Sequence, residues 1–137
     1  MENKPDYKLR QEIYGKEIPH NPREEFMRLA ISEAKEAYIN GDAPIGAIIV
    51  RRGEVISKAH NTREMEKNAL HHAEILAIDS ACKKLRGWRL WECEMYVTLE
   101  PCIMCSGAIV QAKIPICILE HLIKKADVYR RAWKSIR

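Results

Sequence analysis

Two short stretches constrain this chain more than anything else in it: "HHAE" at residues 71–74 and "TLEPCIMCSG" at 98–107. The second sets Cys102 and Cys105 three apart, directly after a β-rich run and directly after Pro101. Proline suits the first helical position, because its missing N–H would have no helical partner there. A thiol at such a place meets free backbone N–H groups and the positive end of the helix. Both favour thiolate, the form that binds zinc. "HHAE" offers two histidines and a carboxylate, again where a helical pattern follows a strand. A fold that brings the two helix starts together makes a site of one histidine and two cysteines. Three protein ligands leave the fourth tetrahedral position for water, the mark of a catalytic rather than a structural zinc. Such an ion lowers the pKa of water toward about 7. Glu74, beside the metal but not bound to it, is then the natural proton carrier.

Spacing alone leaves two points open. A Cys-x-x-Cys pair is also the pattern of a redox motif, or of half a closed structural site. Cys82, Cys93 and Cys117 have no second pair of that spacing and read as small buried residues. Within a regular helix His71 shares a face with Glu74. His72 becomes the ligand if it stands where the chain turns into the helix.

The elements around these stretches follow from periodicity. Residues 1–20 are polar, charged and aperiodic, an arm rather than a domain, and residues 21–137 form one domain. "NPREEFMRLAISEAKEAYIN" predicts a helix with Asn21 as N-cap, Pro22 at the first position and Glu24 three after the cap. Its apolar face runs through Phe26, Leu29, Ala30, Ala34 and Ala37, and Gly41 ends it. "APIGAIIVRRGEVISKAHN" is two apolar runs about a glycine turn, a β-hairpin. "HHAEILAIDSACKKL" is helical through Ala73, Leu76, Ala77, Ser80 and Ala81. "EMYVTLE" is a strand, "PCIMCSGAIVQAK" a helix opened by Pro101, and "IPICILE" a further strand. Leu122, Ile123, Ala126, Tyr129, Ala132, Trp133 and Ile136 give an amphipathic closing helix over about 121–137. The order α-β-β-α-β-α-β-α predicts an α/β sandwich with helices covering a mixed sheet.

Composition excludes several classes. Hydrophobic content of 47% with 31% charged residues is that of a globular chain. No apolar run approaches the roughly 20 residues of a membrane span, and the first 20 residues lack a signal-peptide core. The expected location is the cytoplasm, where five cysteines at irregular spacing stay thiols. The net charge of +4 is unevenly placed: residues 124–137 hold six basic side chains against the single acid Asp127. Such a tail suits phosphate backbones, although a solvated helix face has the same pattern.

"HAE" at 72–74 and "TLEPCIMCSGA" at 98–108 resemble the zinc nucleobase deaminases, and among them the bacterial tRNA adenosine deaminases. "DAPIGAIIV", "HN" at 60–61, "HHAEILAI", "WRL" at 88–90 and "MYVTLEPC" extend the likeness over residues 24 to 115. The resemblance implies a three-layer, cytidine-deaminase-like sandwich: a mixed sheet with helices on both faces and shortened C-terminal elements. It makes His72, Cys102 and Cys105 the ligands of one zinc ion and Glu74 the proton shuttle, with His71 at the pocket edge. It has Asn61 hydrogen-bond the base or its ribose, and the backbone at Ala73 and Pro101 orient the attacked ring and amine. Pro44, Ile45 and Gly46 would shape the pocket floor, although hydrophobic strand residues there suit a core equally well. The implied reaction is hydrolysis of adenosine to inosine at the wobble position of a tRNA anticodon, by a homodimer. Rival readings are a deaminase of free guanine, cytosine or adenosine, and an inactive zinc-stabilised RNA-binding protein. After "QAKIP" the likeness stops. Either a short variant replaces the family's last elements with its basic helix, or the reading frame changes near "ILEHLIKK".

Overall fold

The computed structural model describes residues 24–120. The arm over 1–20, the start signals at Asn21 and Pro22 and the basic helix expected over 121–137 lie outside the described residues.

Helix α1 (Glu24–Ile39) buries Phe26, Met27, Ala30, Ile31, Ala34 and Ala37. At 100° per residue these positions span an arc of about 140°. Leu29 falls about 60° beyond the edge of that arc and is 36% exposed, so it does not share the buried face expected of it. Gly41 follows the helix with φ of 83°, a left-handed turn that glycine adopts without strain.

Strands β1 (Gly46–Arg51) and β2 (Glu54–His60) form the expected hairpin. Arg52 and Gly53 at its turn have φ of 51° and 79°. Positive φ at both central residues is what a two-residue turn needs to match the twist of its strands. The pairing passes from Ile49↔Ser57 to Val50↔Val55, so Ile56 is an extra residue that bulges β2.

Helix α2 (Ala73–Leu85) lays Ala73, Ala77 and Ala81 on the sheet. Ser80, expected in that stripe, is exposed; Ile78 and Leu85 pack beside it instead. The Ser57 hydroxyl of β2 donates to the Ala77 carbonyl at 2.7 Å, close contact that an alanine face allows. Strand β3 (Cys93–Val97) ends at Val97, so Thr98–Glu100, expected inside the strand, form its exit loop. Helix α3 (Ile103–Gln111) begins after Cys102, two residues later than a start at Pro101. It returns the chain to β4 (Ile116–Leu119), parallel to β3 as a helical crossover permits.

The sheet order is β2-β1-β3-β4, antiparallel except for the last pair. Phe26, Met27 and Ile31 of α1 pack with Ile48, Val50, Tyr96 and Ile118 on one face. Ala47, Ile49, Met95 and Val97 pack with α2 and α3 on the other. The molecule is therefore the expected three-layer α/β sandwich with a mixed sheet. Among the described residues no helix is long and apolar enough to cross a membrane.

Gly46 is where α1 touches the sheet. A Cβ there would collide with the Ala30 carbonyl oxygen and lie 2.7 Å from the Ala34 nitrogen and 2.9 Å from Glu33 Cβ. Two of those atoms are helix backbone, which cannot swing aside. Gly46→Ala should therefore cost about 3 kcal/mol, seen as a thermal midpoint lower by about 10 °C. The same substitution at exposed Gly107, where a Cβ meets nothing within 4 Å, is the control.

Candidate metal centre

His72 is the N-cap of α2, with φ −78° and ψ 151°, and Cys102 is the N-cap of α3, with φ −69° and ψ 176°. Neither side chain caps its own helix. Both are free to turn toward each other, and they do. His72 Nδ1 lies 3.6 Å from Cys102 Sγ and 3.5 Å from Cys105 Sγ. The three ligand atoms fall within 4.8 Å of one another, and no other group of this kind occurs among the described residues. A tetrahedral zinc with usual bond lengths would hold sulfur and nitrogen about 3.5 Å apart. The donor set, one imidazole and two thiols, is the chemistry zinc prefers.

Glu74 stands two residues into α2, 3% exposed, and its Oε1 has no hydrogen-bond partner. An orphaned buried carboxylate oxygen is costly, and its position marks where a ligand's donor belongs. His71, the other histidine, comes within 3.4 Å of the Glu66 carboxylate without an aligned hydrogen bond. It is not in the cluster. Of the two histidines, His72 is the one grouped with the cysteines, at the N-cap where the chain turns in.

Burial pushes the Cys105 thiol far above its ordinary range, and the Glu74 carboxylate and a hydrogen bond with Cys102 push the same way. A divalent cation reverses this balance by displacing the thiol protons. Burial also raises Cys93 to about 12. Burial, then the charge of Glu74, raises Cys117 to about 11. Of the three cysteines expected to be buried, Cys93 is, while Cys82 and Cys117 are half-buried.

The remaining sequence candidates surround the cluster. Asn61 is 4% exposed; its Oδ1 accepts from the Ala73 N–H at 3.2 Å, and its own N–H donates to the Ile45 carbonyl at 3.1 Å. The Pro101 carbonyl accepts from the Ser106 hydroxyl at 3.3 Å. Pro44 and Ile45 are half-buried, Ile45 against the α2 and α3 layer. Gly46 turns its Cα toward α1 instead and offers only backbone. Three groups went unnoticed in the sequence. Thr98 accepts the Gly46 N–H at 3.1 Å, Glu33 pairs with His60 at 2.8 Å, and Asp42 accepts two loop amides. Each acts across at least 22 residues, and no local pattern announces such partners.

Residues 20–121 match the family model of the cytidine and deoxycytidylate deaminase zinc-binding region. The chain belongs to this family. Zinc is the family's metal, and the His72, Cys102, Cys105 group is one that can hold it. The chain is 52% identical over 103 residues to a tRNA-specific adenosine deaminase of Aquifex aeolicus, covering 75% of this chain and 68% of that one. It is 53% identical over 89 residues to the tRNA-specific adenosine deaminase of Bacillus subtilis, covering 65% of this chain and 55% of that one. Thus it spans between about half and two-thirds of the length of these relatives. A solved structure from work on A-to-I editing by tRNA:A34 deaminases superposes with a TM-score of 0.69 at 41% identity, covering 71% of this chain and 75% of that one. The guanine deaminase of Bacillus subtilis superposes with a TM-score of 0.69 at 35% identity, covering 72% of this chain and 63% of that one.

Exposure separates the five thiols. In zinc-free protein, alkylation should modify exposed Cys102 first and leave buried Cys93 unmodified. One equivalent of zinc should protect Cys102 at least about tenfold, read by peptide mass spectrometry. Protection unchanged in a Cys105→Ser variant would place the metal elsewhere.

Proposed function

We propose that this chain is a zinc-dependent hydrolase that converts adenosine to inosine at the wobble position of a tRNA anticodon. The observation that carries the reading is the buried Glu74, one carboxylate oxygen unpaired, beside a histidine and two cysteines with zinc-ligand spacing. The fold does not choose the substrate, since a tRNA:A34 deaminase structure and a guanine deaminase superpose equally well. Sequence does: identity reaches 52% and 53% with tRNA-specific adenosine deaminases.

His72, Cys102 and Cys105 would hold the ion. Zinc bound there supplies a Lewis acid that brings water toward ionisation near neutral pH. Glu74 takes one proton from the attacking water to the ring nitrogen, then moves the proton left on the added hydroxyl to the amine, which departs as ammonia. Water adds at ring carbon six, the carbon–nitrogen bond to the amine breaks, and inosine results. Burial keeps bulk water from competing for that proton. Asn61 has its carbonyl oxygen on Ala73, which turns its amide NH2 to the task of holding base or ribose. Through Asn61 the Ala73 backbone is fixed at the edge of the ring's position. The Pro101 carbonyl keeps a second lone pair for the departing amine. Pro44 and Ile45 wall the pocket. The adenosine comes from a loop whose bases can be splayed out, which anticodon loops allow. Cytoplasm is the compartment this reading implies.

The active form is proposed as a homodimer. Leu99, Ile103 and Val110 are 58%, 94% and 67% exposed around the start and outer side of α3. A separate apolar groove of about 420 Å³ lies between α2 and α3, lined by Ile75, Ile78, Trp88 and Ala108. A second copy covers such a surface economically. Val110→Asp should convert dimers to monomers in sedimentation.

The decisive experiment gives zinc-loaded protein an anticodon stem-loop with wobble adenosine, and separately free adenosine, guanine and cytosine. Inosine in the RNA alone supports the proposal. Turnover of a free base but not of RNA overturns it, and RNA binding without turnover favours an inactive binding protein. Glu74→Gln should lower turnover by at least about 10³-fold while zinc stays at one per chain. Loss of zinc in that variant would make Glu74 a ligand rather than the proton carrier.

A further inference from the structure

Asp42 is a buried carboxylate, 6% exposed, that the proposed chemistry does not use. It lies in the turn between α1 and β1. Its Oδ1 accepts from the Glu64 N–H at 2.6 Å and its Oδ2 from the Met65 N–H at 3.2 Å. Both donors belong to the connection between β2 and α2, whose ends run directly into Asn61 and His72. The Thr62 N–H donates to the His71 carbonyl at 3.1 Å and closes the base of this loop. Every residue from Arg63 to Leu70 is exposed. A loop with no buried side chain has no core to hold it. Its other bonds stay within the 62–72 connection: Glu66 N–H to the Thr62 carbonyl, Asn68 N–H to the Arg63 carbonyl, Leu70 N–H to Asn68 Oδ1, the His71 and His72 N–H groups to the Asn68 and Leu70 carbonyls, and Glu66 paired with His71 at 3.4 Å. Among the described residues, Asp42 supplies the bonds that tie residues 63–70 to another part of the chain.

Arg63 and Lys67, in a loop that Glu64 and Glu66 bring to no net charge, offer cations to phosphates. Met65 and Leu70, 55% and 57% exposed, offer apolar surface to a splayed base. We propose that Asp42 is a positioning residue, holding the 63–70 loop as the rim across which the RNA strand reaches the metal centre. It touches no reacting atom. Two charge-assisted bonds from one rigid turn fix the rim before RNA arrives, so the ordering cost is not charged to binding. Loss of the clamp should then weaken RNA binding and leave the chemical step intact.

The assignment rests on the RNA reading above, and the test separates the two. Asp42→Asn replaces one acceptor with an NH2 group facing an N–H; Asp42→Glu keeps both acceptors on a longer stem. Each variant, full-length and zinc-loaded, is measured for zinc content, amide exchange at Glu64 and Met65, stem-loop Kd, KM and kcat. In Asp42→Asn, exchange at the two amides should rise about tenfold, with Kd and KM up about tenfold. Zinc should stay at one per chain and kcat within about twofold. Asp42→Glu should recover most of the loss in KM. Faster exchange with unchanged Kd and KM overturns the assignment and makes the clamp merely structural. A fall in kcat at constant KM, zinc loss, or failure of both variants to fold overturns it as well. If the wild-type protein makes no inosine, the functional reading falls and the assignment with it. If the wild type is active and Asp42→Asn is indistinguishable from it, the assignment alone falls.

Discussion

The backbone of Gly46 bonds Thr98 in both directions, its N–H to the hydroxyl and its carbonyl to the N–H, each at 3.1 Å. That junction locks the start of β1 to the end of β3, as the Ala47↔Val97 register requires, and four residues after Thr98 comes Cys102. The preceding carbonyl, of Ile45, accepts from Asn61, whose side chain accepts from Ala73, the first residue of α2. So the two helix starts that carry His72 and Cys102 are both referenced to one dipeptide. The other side of the same dipeptide is pressed against α1, where no side chain fits. Pocket shape, helix placement and ligand spacing are thus one constraint rather than three.

Much of this was legible in the residues because each signal was local. The hairpin came from apolar runs around "RRGE", and the two helix starts from what precedes them. A histidine from "HHAE" grouped with Cys102 and Cys105 was legible from helix starts, whereas the choice of His72 over His71 came from the family resemblance. What stayed hidden is non-local. Nothing near Asp42, Glu33 or Thr98 says that its partner lies 22 to 52 residues away. Periodicity also misplaced Leu29 and Ser80, because a helix face is chosen by what it packs on. The sheet beneath α2 accepts only alanines at closest approach, while α1 rotates its broad apolar arc toward Ile48, Val50 and Tyr96.

N-cap positions explain how short side chains reach a common point. At an N-cap the backbone is still extended, so the side chain projects ahead of the helix rather than across it. Serine or aspartate there would fold back onto its own first turn. Imidazole and thiol leave that turn uncapped and point at the neighbouring helix instead. Each helix loses the stability of a cap, and each directs free N–H groups and positive potential toward the same small volume. At Cys105 that potential opposes the burial and the Glu74 charge, which push the thiol up.

Glu74 bears on stability as well. A carboxyl side chain at 3% exposure with an orphaned oxygen is costly for a small domain to bury. It lies in the apolar α2 layer that holds the domain together, next to Ala73 and Ala77. A fold that only had to be stable would place an alanine there and continue the stripe. The cost is relieved when a cation stands beside the carboxylate, and a ligand that binds only the folded state adds its binding free energy to folding. Metal binding and folding are then coupled through one side chain. Glu74, proposed as the proton carrier, is thus also a costly side chain to bury beside the cluster.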